Sequence, residues 1–214
     1  MAIEFQELVN PGNGNLPIRV ARGHFATSHS HINYYIDLTL TKNKLSEARE
    51  AAIQLASRFK GTTLIDTILC LDGTEVIGAC MASELTKTSF TSINSNRAIY
   101  IVTPEHTTGS QLIFRDNTAP MIVGKHVLVL AASVTTGYTA QGAIEAVRYY
   151  GGMVVGVCSI LSTAEECFGY KVTSIFRTQG VLPDYVSKPS YECPLCKAGA
   201  KLDAMVNTYG ISGF

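Results

Sequence analysis

The chain has 214 residues, 46% of them hydrophobic, enough apolar material to build a core in one large domain or two small ones. Lys and Arg together number 17, as do Asp and Glu; with no net charge and no basic run there is no sequence-independent grip on a phosphate backbone, which argues against nucleic acid as a partner. The longest apolar stretches, such as Val127–Ala132 and Met153–Ile160, fall short of the roughly 18 residues of a bilayer span, and Met1–Asn10 has no cationic stretch leading into an apolar block, so a cytoplasmic protein without a membrane partner is expected.

Residues from Met1 to about Asn33 predict a loop-rich opening, with a turn cluster at Asn10-Pro11-Gly12-Asn13-Gly14-Asn15 and histidines at His24, His29 and His31. Tyr34–Leu38 reads as a short strand. Leu45–Phe59 places Leu45, Ala48, Ala52, Leu55, Ala56 and Phe59 on one helical face. From Thr63 onward β-rich runs alternate with helical ones, as in a parallel sheet with helical crossovers. The strands are Thr63–Leu71, Ala98–Thr103, Val127–Ala131, Val154–Ile160 and Val172–Phe176; the helices are Glu75–Leu85 and Ala140–Tyr150, with a single helical turn at Thr163–Phe168. The polar stretch Pro104–Gly124 predicts a lid or binding flap. A helix is expected over Gly199–Tyr209.

The most informative run is the apolar strand Val127–Ala132, followed by Ser133-Val134-Thr135-Thr136-Gly137-Tyr138-Thr139 and then a helix. Such a turn aims several backbone N–H groups and the positive end of a helix at one point, with hydroxyls alongside, which makes a phosphate cradle. The same spacing also suits an ordinary strand-to-helix turn with Thr139 as its N-cap.

This run resembles the phosphoribosyl pyrophosphate (PRPP) motif of the type I phosphoribosyltransferases, in which an apolar strand precedes two acidic residues, two further positions and Thr-Thr-Gly-x-Thr. Ser28–Asp37 is similar to the Ser-Gly-x-x-Ser-Pro-Tyr-Tyr-x-Asp segment of the orotate branch, and Ile65–Glu75 stands where the family has its pyrophosphate loop. The resemblance runs from Ser28 to about Ile160. It implies the type I α/β fold, a central five-stranded parallel sheet flanked by helices with a small N-terminal hood. It also implies three segments: hood and first helix (1–60), phosphoribosyltransferase-like core (61–185) and a C-terminal tail packed on the core (186–214). PRPP or a nucleoside monophosphate is expected at Ser133, Thr135, Thr136, Gly137, Tyr138 and Thr139, and pyrophosphate at Asp72, Gly73 and Thr74. Mg²⁺ would accompany PRPP, and the family's habit implies a homodimer.

Three departures bear on turnover. The acidic pair falls on Ala131 and Ala132, whose methyls neither accept a hydrogen bond nor offset positive charge on an oxocarbenium-like ribose. Tyr100–Gly109 offers only His106 as a cation for pyrophosphate, and the orotate-recognising Lys and Arg fall near Thr27 and Thr163. No catalytic residue is assigned. Two expectations follow: a transferase of weakened catalysis, or a non-catalytic sensor of a nucleotide or PRPP on the same fold.

Among the six cysteines, Cys70, Cys80 and Cys158 lie in apolar surroundings and read as small core residues. Cys193-Pro194-Leu195-Cys196 instead has the two-residue gap of a zinc knuckle. Two further ligands would come from His24, His29 or His31, or from a second subunit; otherwise the pair is a free or reversibly oxidised dithiol.

Overall fold

The computed structural model describes residues 3–9, 16–108 and 111–214, so the turn cluster at Asn10–Asn15 lies outside the described residues. The opening is a sheet rather than loops: β1 (Gln6–Val9), β2 (Pro17–Ala26) and β3 (His31–Asp37) pair antiparallel. Ile18 and Val20 alternate inward along β2, a period-two pattern that the polar and histidine-rich neighbours obscure in the sequence. A register shift between Arg22 and Phe25 interrupts the β2–β3 ladder, as at a β-bulge.

Two helices follow, α1 (Thr39–Asn43) and α2 (Leu45–Ser57), the latter burying Ala48, Ala51, Ala52, Leu55 and Ala56. The core then alternates β4 (Thr67–Cys70), α3 (Glu75–Thr86), β5 (Tyr100–Val102), β6 (Glu105–His106), β7 (Leu112–Ile113), β8 (His126–Val134), α4 (Tyr138–Tyr149), β9 (Met153–Ser162), β10 (Glu166–Cys167) and β11 (Tyr170–Arg177). Its sheet runs β10-β11-β9-β8-β4-β5, with β11, β9, β8, β4 and β5 parallel as expected and β10 antiparallel on the edge. Both faces are covered, as a parallel sheet requires. Leu128, Leu130 and Ala132 of β8 join the apolar cluster that holds α2 and α3, whereas Val127, Val129 and Ala131 join the cluster that holds α4.

Two local expectations, at Thr163–Phe168 and at Gly199–Tyr209, are corrected. Thr163–Phe168 is no helical turn but leads into a β10–β11 hairpin, whose two-residue bend Phe168-Gly169 takes φ of 50° and 83°. The Pro104–Gly124 stretch contains the β6–β7 hairpin, anchored by the buried Leu112, Phe114 and Ile122 and by an Arg115–Glu105 ion pair. After α5 (Thr178–Val181), β12 (Ser187–Lys188) and α6 (Pro194–Lys197), the expected helix at Gly199–Tyr209 is a hairpin of β13 (Ala204–Asn207) and β14 (Gly210–Gly213). Ala204 and Val206 point inward while Met205 and Asn207 point out, and the Asn207 Oδ1 accepts the Tyr209 and Gly210 amides across the turn. β12 pairs with β3 and β13 with β2, so the C-terminal segment completes the hood sheet.

Candidate active site

The carboxyl ends of β4 and β8 open into a cleft of about 350 Å³ between the central sheet and the hood. On the sheet side the run after β8 is held by β9. The Val134 carbonyl accepts the Thr163 amide at 3.0 Å and the Ser162 hydroxyl at 3.1 Å, and the Thr135 carbonyl accepts the Thr163 hydroxyl at 2.8 Å. Gly137 then turns the chain at φ +80° as the N-cap of α4, where a Cβ would lie 3.0 Å from the Cys167 sulfur. Thr139 therefore lies in the first turn of α4 rather than at its cap. No side chain caps this helix, so its first amides and its positive end are left toward the cleft, alongside Ser133, Thr135, Thr136 and Thr139. Tyr138 is exposed, and its ring stands 5.8 Å from that of His29 across the mouth.

The floor is the bend after β4. Asp72 and Gly73 take φ of 58° and 77°, and Asp72 lines the cleft. Thr74 is turned the other way: it is fully buried, and its hydroxyl donates to the Leu71 and Leu130 carbonyls at 2.8 and 3.2 Å. Burial pushes the Asp72 carboxyl up, opposed by Lys42, by the Ala132 amide that the carboxylate accepts, and by His106 from the flap hairpin. Lys42, in α1, is a residue that sequence reasoning missed. Its Nζ donates to the Asp72 carbonyl at 2.8 Å and to the Thr208 carbonyl at 2.9 Å, which brings a nearly buried cation to the cleft floor. Nothing in the polar stretch Thr39–Asn43 distinguishes it from a solvated lysine; only the tertiary fold carries it to Asp72.

The two alanines of the motif separate. Ala132 lines the cleft, whereas Ala131 is 1% exposed and belongs to the apolar cluster under α4. The hood wall consists of Thr27, Ser28, His29 and Ser30, with Tyr34, Tyr35 and Tyr185 behind them. The Tyr34 hydroxyl donates to Asp184 at 3.0 Å, while Tyr35 is buried edge-on to Phe5 and Phe25, and burial pushes its phenol up to about 12.

Outside the cleft, His24, His31, Cys193 and Cys196 converge, with one donor atom of each lying within 4.8 Å of the others. His29 is not part of this group. Cys70 and Cys158 are framework residues: burial pushes the Cys70 thiol up to about 12 and raises that of Cys158 too.

No family model matches the chain. It is 28% identical to the orotate phosphoribosyltransferase of Caldanaerobacter subterraneus subsp. tengcongensis over 186 residues, 86% of this chain and 88% of that one. It is likewise 28% identical to the orotate phosphoribosyltransferase of Chlorobium phaeobacteroides over 187 residues, 85% and 86% of the two chains. Among solved structures, the orotate phosphoribosyltransferase of Mycobacterium tuberculosis H37Rv in complex with PRPP superposes with a TM-score of 0.51 at 18% identity, covering 68% of this chain and 82% of that one. Among the described residues no helix is long and apolar enough to cross a membrane. The chain is thus similar in sequence to orotate phosphoribosyltransferases over most of its length and has the type I phosphoribosyltransferase fold.

Proposed function

We propose that the protein binds PRPP, or the nucleoside monophosphate made from it, with the 5-phosphate on the run from Ser133 to Thr139, and that it exchanges pyrophosphate for a base nitrogen at C1 of the ribose. The observation that carries this is the uncapped amino end of α4, flanked by Thr135, Thr136 and Thr139 and open to the cleft. An esterified phosphate dianion suits such a terminus, because backbone amides donate to it without needing a side-chain cation. Pyrophosphate would lie at the Asp72-Gly73 bend, where Lys42 supplies positive charge, and Thr74 would support that bend from beneath. The base would enter under Thr27–Ser30.

In the reaction the C1–oxygen bond to pyrophosphate breaks with its electron pair leaving on oxygen, the C1–nitrogen bond forms, and the base gives up one proton. Positive charge grows on the ribose as the leaving group departs, and a carboxylate nearby lowers that barrier. Neither alanine of the motif supplies one; Asp72 is the carboxylate at the cleft floor, and burial holds it closer to its neutral form. Weakened turnover follows. Mg²⁺ would neutralise pyrophosphate; with one carboxylate at the cleft floor, it would be held mainly by the ligand's own phosphates. The site is proposed to work in a cytoplasmic homodimer, with zinc at Cys193 and Cys196.

Calorimetric titration with PRPP and with nucleoside monophosphates, then a pyrophosphate-release assay over a panel of bases, tests the reading. Binding that Thr136→Val weakens about tenfold, together with release for at least one base, is the expected result. Binding without release for any base would make the protein a sensor. Absence of binding to any phosphoribosyl compound would reject the site.

A further inference from the structure

Four side chains brought together by three separate parts of the chain remain unused by the transferase chemistry. His24 is in β2, His31 opens β3, Cys193 is the residue before α6 and Cys196 lies within it. The His24 Nε2 lies 3.2 Å from the His31 Nδ1, 3.5 Å from the Cys193 sulfur and 3.6 Å from the Cys196 sulfur, and the His31 Nδ1 lies 3.1 Å from the Cys196 sulfur. A tetrahedral zinc ion with nitrogen at about 2.1 Å and sulfur at about 2.3 Å spaces its ligands by roughly 3.4–3.8 Å; these four separations run from 3.1 to 3.6 Å and all four donors lie within 4.8 Å of one another, close enough to share one ion after small shifts.

The surroundings suit the same ion. The His24 Nδ1 faces the Ala200 and Lys201 carbonyls at 3.1 and 3.2 Å, which places the ring proton there and leaves the Nε2 lone pair toward the other three donors. After Cys193 the chain makes a knuckle: the Lys197 amide donates to the Cys193 carbonyl at 3.1 Å and the Gly199 amide to the Cys196 carbonyl at 2.9 Å, with Gly199 at φ +75°.

We infer that His24, His31, Cys193 and Cys196 of one subunit form a Cys₂His₂ zinc site that fixes the hood wall of the cleft. The cleft-lining loop Thr27–Ser30 is spanned by two of the ligands, His24 and His31, and is closed by Thr27, whose hydroxyl meets the Ser30 carbonyl at 2.8 Å. Downstream of the other two ligands, the Asp203 carboxylate accepts the His24 amide at 2.7 Å and β13 adds to β2, delivering Asn207 and Thr208 to the opposite rim of the cleft. One ion thus ties down both chain segments that roof the ligand. Without it, the two segments would still be joined by the β2–β13 pairing and the Asp203–His24 bond, but the Cys193–Cys196 knuckle would lose its link to the strands that carry the histidines.

The second half of this inference rests on the cleft being the PRPP site. Metal analysis of the purified full-length protein is expected to give about one zinc per chain, and Cys193→Ser and His31→Ala to lose it. Replacement by Co²⁺ in the unaltered protein should give the intense visible bands of a tetrahedral thiolate-ligated ion, a readout that does not depend on a variant folding. Removal of zinc by a chelator should weaken PRPP binding about tenfold or more by calorimetry, and zinc should restore it. No zinc on the protein as isolated and no Co²⁺ spectrum after reconstitution would overturn the site, as would a Cys193–Cys196 disulfide in its place. Zinc present but PRPP affinity unchanged on its removal would overturn the link to the cleft. If PRPP does not bind even to the zinc-loaded protein, the transferase reading fails and the metal site stands.

Discussion

The two alanines of the phosphate motif make a sharp test, because the resemblance treats them alike and the fold does not. Ala131→Asp puts a carboxylate at a position 1% exposed, in the apolar cluster shared by Val127, Val129, Ala143, Ile144 and Val147. A carboxyl fully buried in such surroundings has its pKa raised by about 3–5 units; at pH 7 the penalty is set by the roughly 3 units between that pH and the unfolded value, which at 1.36 kcal/mol per unit costs about 4 kcal/mol. Against a total of about 5–15 kcal/mol, the variant should lose a large share of its stability and melt about 8–16 °C lower at pH 7. The sign of the pH dependence is fixed: the folded pKa lies above the unfolded value of about 3.9, so the penalty is absent below that value and grows as pH rises toward the folded pKa. Ala132→Asp meets the cleft from the other face of β8, where Ala132, 7% exposed, packs at the edge of the α2–α3 cluster and lines the cleft with Lys42 and Asp72. Its cost should be about 1–3 kcal/mol, mostly repulsion from Asp72, and pyrophosphate release should rise about tenfold or more as the new carboxylate offsets charge on the ribose. Thermal melts at pH 4 and pH 7 with release assays on both variants check this. An Ala131→Asp protein that melts like the parent at pH 7, or that gains turnover as much as Ala132→Asp, would refute the assignment of the two side chains to opposite faces of β8.

Lys42→Met removes two hydrogen bonds to carbonyls and the nearly buried cation at the floor; affinity for pyrophosphate, measured by calorimetry, should fall about tenfold while affinity for inorganic phosphate at the α4 end changes by less than about twofold. At the opposite end of the sheet, burial alone would raise the Asp66 carboxyl, but hydrogen bonds from the His126 amide and ring and from Arg97 outweigh it and hold the carboxyl at about 2. Its folded pKa is depressed, so its contribution is complete above the unfolded value near 3.9 and is lost as pH falls toward 2. Urea melts should therefore show a stability loss between about pH 4 and pH 2 that is smaller in Asp66→Asn, a variant already less stable at pH 7.

Periodicity and local chemistry were enough to read the parallel sheet, because its central strands are continuous apolar runs: Val127–Ala132 and Gly156–Ile160 are buried and need no partner to be recognised. The helix faces of α2 and α4 and the Thr-rich turn were equally legible, since their signals lie within a dozen neighbouring residues. The hood was not. Its strands β2 and β13 alternate over few residues, β2 is interrupted by glycine, histidine and a bulge, and the two are joined into one sheet by a pairing across about 180 residues of chain. The same long-range closure decided the site. Spacing singled out Cys193 and Cys196, but their distance from His24 and His31 in the chain left the other ligands open until the hood closed. Lys42 gave no signal at all, because a single lysine in a polar stretch is surface by default and becomes a floor cation only when α1 is packed against the Asp72 bend. Ala131 and Ala132 look equivalent in the sequence, but a pleat that sends successive side chains to opposite faces packs Ala131 under α4 and turns Ala132 to the α2–α3 face, whose edge opens on the cleft.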